Sequence, residues 1–215
     1  MDDASKGKVI SALEAEFVSA VDLLSFESVG PVVGREVAGR AVQAVAIAAL
    51  GILAYITYAF RGVQNSFRYG VCAIFALLHD VLIVVGVAAI LGRTLGWEVD
   101  ALFLTALLTV IGFSVHDSIV VFDRIRENLS RYRRADYEEV VNLSVVQTLD
   151  RSINTQLTAL FTLLALALFG GATIFHFVVT MMIGLLSGTY SSMFNAAPIL
   201  VVWEKREWRR WFWRS

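Results

Sequence analysis

Charge is scarce in this chain. Asp, Glu, Lys and Arg make up 17% of its 215 residues, where soluble domains carry about a quarter. That shortfall argues against an ordinary soluble domain. Cysteine is nearly absent: the single Cys72 cannot close an intrachain disulfide and reads as a small residue inside an apolar run. With only two prolines, Pro31 and Pro198, long helices are expected to run without interruption. The 18 basic and 19 acidic residues nearly cancel to a net charge of −1, which implies no nucleic-acid partner. Apolar residues are in excess: 57% of the total, with mean hydropathy +0.68, gathered in long runs. The class is a polytopic membrane protein.

A membrane span needs about 20 mostly apolar residues. Five stretches qualify: 37–60, 67–91, 99–122, 149–170 and 174–203. The expected fold is therefore all-α, a bundle of five transmembrane helices. Thirteen of the 18 basic residues fall on one side of it: Arg61 and Arg68 after the first span, Arg124, Arg126, Arg131, Arg133, Arg134 and Arg151 around the link between spans three and four, and Lys205, Arg206, Arg209, Arg210 and Arg214 after span five. The positive-inside rule then places the C-terminus in the cytoplasm and the N-terminus outside. Trp203, Trp208, Trp211 and Trp213 form an aromatic anchor at that interface.

Ahead of the first span, Val9, Leu13, Phe17 and Val21 recur at helical spacing, so 5–20 reads as an amphipathic helix and "LLSFESV" (23–29) as a short strand. These two elements cannot bury a core, and they include no signal peptide to carry the N-terminus across. Either the first span inserts in reverse or the chain is a fragment of a longer one; the fragment reading is preferred. The expected organisation is 1–35 as the end of an external domain, 36–204 as the transmembrane domain and 205–215 as a basic, aromatic cytoplasmic tail.

Four ionisable groups lie well within spans, away from their ends: His79, Asp80, His116 and Asp117. A carboxylate at the bilayer centre costs at least about 2.5–3.5 kcal/mol, so it faces the bundle interior or water and is a functional candidate by default. In "VIGFSVHDSIVVFDRIREN" (110–128), Ser114, Asp117 and Ser118 share a helix face, and Arg124 returns to nearly the same azimuth two turns on. His116 points about 100° away, towards the side of Asp123. Adjacent side chains on a helix diverge, so neither His116–Asp117 nor His79–Asp80 reads as a two-ligand metal site, and no zinc spacing occurs. No metal or other cofactor is implied. Asp117 admits two accounts: a structural carboxylate held by hydroxyls or by Arg151, or a proton carrier whose ionisation is balanced between desolvation and a nearby arginine.

Span four opens on "QTLDRSINTQLTAL" (147–160), whose polar residues mark a face turned to other helices or to water. Arg151 is either a fixed counter-charge or a snorkelling interfacial residue, with Asp150 as a possible local partner. Between spans three and four, Phe122, Ile125 and Leu129 carry span three into an amphipathic helix, and Asp136 is placed to cap a second helix through "DYEEVV". In span five, Gly184 and Gly188 form a small-xxx-small pair, and Ser187, Ser191, Ser192 and Asn195 continue its small, polar character.

The stretch "GFSVHDSIVVFDRIREN" resembles the hallmark segment of the SecF family, the smaller half of the SecD–SecF protein-export membrane complex. "FESVGPVVGRE", "ALLHDVLI", "QTLDRSINTQLTAL" and "GLLSGTYSSMFNAAPILVVW" resemble other family segments in the expected order. The resemblance implies that the five spans are the family's second to sixth, in the bacterial cytoplasmic (inner) membrane. It implies a role in protein translocation by a family that resembles proton-driven transporters of the resistance-nodulation-division type, with SecD, the Sec translocation channel, the translocating preprotein and membrane lipids as partners. By the same resemblance Asp117 and Arg151 are the proton-relay residues, with Asp80, His116, Arg124 and Asp123 as secondary charged candidates. Asp150, before Arg151, departs from the family's expected neutral small residue. Two rivals stand beside this reading: a passive scaffold with purely structural buried charges, and an intramembrane enzyme using His116 and Asp117, against which their divergence argues.

Overall fold

The computed structural model describes residues 7–8, 10–13, 16, 31–63 and 65–205. Among them, regular structure is helical throughout. The elements are α1 (Pro31–Ala59), α2 (Phe67–Leu95), α3 (Ala101–Arg131), α4 (Tyr137–Phe169), α5 (Ala172–Ser191), a π-helical turn (Ser192–Ala196) and α6 (Ala197–Glu204). α5, the π-turn and α6 form one continuous crossing, so five helical segments are long and apolar enough to span a membrane. The expected all-α, five-span fold is observed.

Local sequence explains where the helices stop and start. α2 ends at Gly96, whose φ of 70° lies in the left-handed region open to glycine. The Asp100 carboxylate then caps α3 by accepting from the Phe103 amide at 2.8 Å. The turn between α4 and α5 needs Gly171 at φ 82°. At 31 residues, α3 is about 46 Å long and outruns a hydrocarbon core of about 30 Å. Its arginine-bearing end therefore continues past the membrane, as the periodicity of Phe122, Ile125 and Leu129 predicts.

Two expectations need correction. The short helix expected after Asp136 is not a separate element: α4 begins at Tyr137, and that helix is its first turns, continuous with the fourth span. Nothing in 137–149 breaks a helix, and its buried residues Val140, Val141, Ser144 and Thr148 already pack into the bundle. Asp136 sits at the N-cap position without a capping hydrogen bond; its carboxylate lies 2.8 Å from Lys205 Nζ instead. The fifth span is not an uninterrupted α-helix either. Pro198 has no amide hydrogen to give the carbonyl four residues earlier, and its ring crowds that carbonyl. The chain answers with the π-turn immediately before it, a common way to absorb such a break.

Of the N-terminal segment, residues 7–8, 10–13 and 16 are helical; the strand expected at 23–29 lies outside the described residues, as does the tail beyond 205. α3 is the central helix. Half of its membrane-length window is buried inside the chain, against 6% for α1, and α3 touches α1, α2, α4 and α5. Because lipid is as apolar as leucine, close packing holds such bundles rather than water exclusion. Span five shows it directly: a Cβ on Gly184 would fall 2.2 Å from a Val110 methyl, and one on Gly188 would lie 3.1 Å from the Ser114 Cβ. The two glycines let α5 lie flush on α3. Cys72 is fully buried in the core, as expected for a small core residue.

Candidate functional site

Packing α2, α4 and α5 around α3 brings two carboxylates into the interior on different interfaces. Asp80 on α2 is fully buried. Its Oδ1 accepts from Ser187 Oγ at 2.7 Å and meets His79 Nδ1 at 3.2 Å. Its Oδ2 accepts from Ser191 Oγ at 2.7 Å and from Ser114 Oγ. A carboxylate offers about four lone-pair sites, and all four are taken. Asp80 thus pins α2 to α3 and to α5, where Ser187 and Ser191 stand one helical turn apart on the face that carries Gly184 and Gly188.

This arrangement corrects one sequence argument. His79 and Asp80 do not diverge: the imidazole, 35% exposed, folds back onto the carboxylate of its chain neighbour. Ser114 does share a buried face of α3 with Asp117 and Ser118, but its hydroxyl serves Asp80.

Asp117 is 3% exposed and faces α4. Its Oδ2 accepts from Gln156 Nε2 at 2.7 Å, and no ion pair reaches it among the described residues. Arg151 is exposed, five residues before Gln156 and thus about 7.5 Å along the helix axis; neither Asp117 nor Asp150 forms an ion pair with it in this structure. The contrast between the two acids is chemical. Asp80 has no acceptor capacity left, whereas Asp117 holds one neutral amide among the described residues.

The secondary candidates separate from this pair. His116 is exposed on α3 while Asp117 is buried, so the two do not converge. Asp123 pairs with Arg126 at 2.6 Å, both about half exposed. Arg124 donates to Gln147 Oε1 at 2.7 Å and pairs with Glu127 at 2.6 Å. Gln147 also accepts from the fully buried Asn128, whose amide reaches Ser144 Oγ at 2.9 Å as well. Arg124 therefore belongs to the network joining α3 and α4 near the end of the membrane, two turns from Asp117.

Gln156, Ser187 and Ser191 hold the two acids, whereas the sequence marked them only as polar residues of spans four and five. Span five did carry a signal: Gly184, Ser187, Gly188 and Ser191 repeat at i, i+3, i+4 and i+7, a uniformly small face with hydroxyls opposite an acid-bearing span.

Residues 9–206 match the family model described as protein export membrane protein SecD/SecF, C-terminal. The chain belongs to that family. It is 59% identical over its whole length to the protein translocase subunit SecF of Anaerolinea thermophila, and 58% identical over 98% of its length to that of Thermobaculum terrenum. It spans 70% and 66% of those two relatives. It is 40% identical to the protein translocase subunit SecDF of Bacillus subtilis over 85% of this chain and 24% of that one. A crystal structure of SecDF in a super-membrane-facing form superposes over the whole chain with TM-score 0.74 at 34% identity, covering 28% of the SecDF chain. With five spans and these relatives, the chain is a multi-pass membrane protein of the protein-export family, as the hallmark stretch implies.

Proposed function

We propose that the chain is the membrane-embedded part of a proton-driven subunit that assists export of preproteins through the Sec channel. It works beside SecD in the bacterial inner membrane, with its arginine-rich end in the cytoplasm and residues 1–35 belonging to an external domain. Asp117 carries the proton. The observation that carries this reading is the pairing of a buried carboxylate with an amide instead of a cation. An ionised Asp117 accepts from Gln156 Nε2, and a protonated one can donate to Oε1 of the same side chain after an amide flip, so both states find a partner. Arg151 is the fixed counter-charge, taken up when Asp117 is ionised in another step of the cycle and released when it is protonated. The change of partner shifts α4 against α3, and that rearrangement is the working stroke.

The scaffold reading applies to Asp80 instead, whose four filled acceptor sites suit a clamp. Asp117→Asn in the full-length protein tests the proposal. It keeps the shape and removes the titrating proton, so gradient-dependent export of a preprotein into vesicles should fall to the level seen without a gradient. Export that still follows the gradient refutes the assignment.

A further inference from the structure

The helix ends on the arginine-rich side enclose a cavity of about 410 Å³, within the range of about 300–1,000 Å³ typical of small-ligand pockets. Neither Asp80 nor Asp117 lines it. Its walls come from five parts of the chain: Gly62 in the turn after α1, Tyr69 near the start of α2, Arg126 and Ser130 in the last turns of α3, Tyr137 at the start of α4 and Glu204 at the end of α6. Tyrosines gather where a bundle meets the lipid headgroups, and this cavity holds two. Gly62 follows α1, the least buried of the five crossings, so that edge of the cavity stands at the lipid side of the bundle.

The lining offers both kinds of charge, each with bonding capacity left over. Arg126 pairs with Asp123 through Nη2 at 2.6 Å, and its guanidinium lies 5.5 Å from the centre of the Phe60 ring, which steadies it by a cation–π contact. A guanidinium has five N–H donors, so most remain for an oxyanion, which arginine binds in a forked geometry. The Tyr69 and Tyr137 hydroxyls are 3.5 Å apart. One donates to the other, so the second O–H is left to donate elsewhere. Glu204 accepts from Arg68 at Oε2, and its Oε1 takes no hydrogen bond among the described residues. With their ion-pair partners, the two charged lining residues make two positive and two negative charges. A neutral set of this kind suits a ligand that carries a cation and an anion together, and disfavours one that is only an anion, which would have to face Glu204.

We infer that this cavity binds the headgroup of a zwitterionic phospholipid of the phosphoethanolamine class. Arg126 and the spare tyrosine O–H donate to the phosphate, and Glu204 Oε1 accepts from the ammonium. At this level of the membrane the phosphodiester layer lies beside the cavity, so the lipid needs only to lean in, with its chains left along the bundle. Once seated, it joins the ends of α3, α4 and α6, which meet nowhere else through a single partner of both charges.

The test uses the full-length protein in nanodiscs holding equal amounts of dioleoyl phosphatidylethanolamine and anionic dioleoyl phosphatidylglycerol, with retained lipid counted by native mass spectrometry. Wild type should keep phosphatidylethanolamine in preference to phosphatidylglycerol. Arg126→Gln removes a charge-assisted bond to phosphate and should weaken retention about tenfold. Glu204→Gln removes the ammonium's acceptor and leaves Arg68 unpaired, so the preference should turn towards phosphatidylglycerol. Arg134→Gln, an exposed arginine outside the cavity, should change nothing. Gly62→Leu is a second route that leaves every charge in place: a Cβ at Gly62 meets nothing within 4 Å, so the larger side chain has room to enter the cavity and should lower retention of both lipids. Soluble glycerophosphoethanolamine separates a lipid from a cytoplasmic zwitterion: it should fail to displace the lipid at matched concentration, and equal displacement overturns the lipid assignment. A wild-type preference for phosphatidylglycerol, or retention unchanged in both Arg126→Gln and Gly62→Leu, overturns the site.

Discussion

Gly184→Ala puts the close contact of α5 with α3 to a direct test. The added methyl carbon would stand 2.2 and 2.6 Å from the two methyls of Val110 and 2.9 Å from its Cβ. Rotating the valine clears the methyls but not the Cβ, so the helices must part by roughly 1 Å, and overpacking of this kind costs about 1–3 kcal/mol. Alanine's better helix propensity returns at most about 1 kcal/mol, so the steric term wins and the variant should be less stable by about 1–2 kcal/mol. Two comparisons sharpen the argument. Gly86 and Gly112 have nothing within 4 Å of a built Cβ, so alanine there should be neutral or slightly stabilising. Val110→Ala removes the clashing methyls; alone it leaves a gap, but combined with Gly184→Ala the two changes should offset by at least about 1 kcal/mol, a coupling typical of residues in contact. Equilibrium unfolding of the wild type and these five variants in mixed detergent–lipid micelles, with SDS as denaturant, measures all of these. Wild-type stability in Gly184→Ala, or strictly additive effects, would refute the claim that the glycine exists to seat Val110.

Two other outcomes follow from the same geometry. Asp80→Ala strands three serine hydroxyls, two of them on α5, and should destabilise the bundle by about 3 kcal/mol in the same unfolding assay, whereas Asp80→Asn, which still accepts at one oxygen, should cost less. Outside the membrane, Lys205 draws the Asp136 carboxyl below its ordinary 3.8 through their hydrogen bond, and the bonds to Asp136 and Glu138 hold the Lys205 ammonium above its ordinary 10.5. A lowered carboxyl contributes fully above 3.8 and fades as pH falls through its lower folded value; a raised ammonium contributes fully below 10.5 and fades as pH rises through its higher one. The clasp between the end of α6 and the start of α4 should therefore persist across neutral pH and open in strong acid. Side-chain NMR of Lys205, checked against Lys205→Met, reads it, and salt should weaken it because these groups are exposed.

Much of the fold is legible because a membrane imposes length and apolarity on each crossing. The three inner boundaries set by Gly96, Asp100 and Gly171 are punctuated by residues whose backbone or side chain ends or begins a helix. The start of α4 was misplaced because polar, charged turns that project beyond a membrane look like a linker when only apolarity is counted. The π-turn was missed because one proline within an apolar run reads as tolerated until the carbonyl it strands has to be housed.

The site divides in the same way. A carboxylate in an apolar span announces itself whatever its partners, since burying its charge is expensive anywhere in the bilayer, so Asp80 and Asp117 stand out in the bare string of letters. Which of them is held by four partners and which by one is a matter of helix rotation and separation. A few degrees of azimuth decide that Ser114 serves Asp80 and not Asp117, and two glycines decide that α5 comes near enough for Ser187 and Ser191 to reach it. Those quantities belong to the packed bundle, because side-chain hydrogen bonds switch on within tenths of an ångström while sequence spacing locates a residue only to a face.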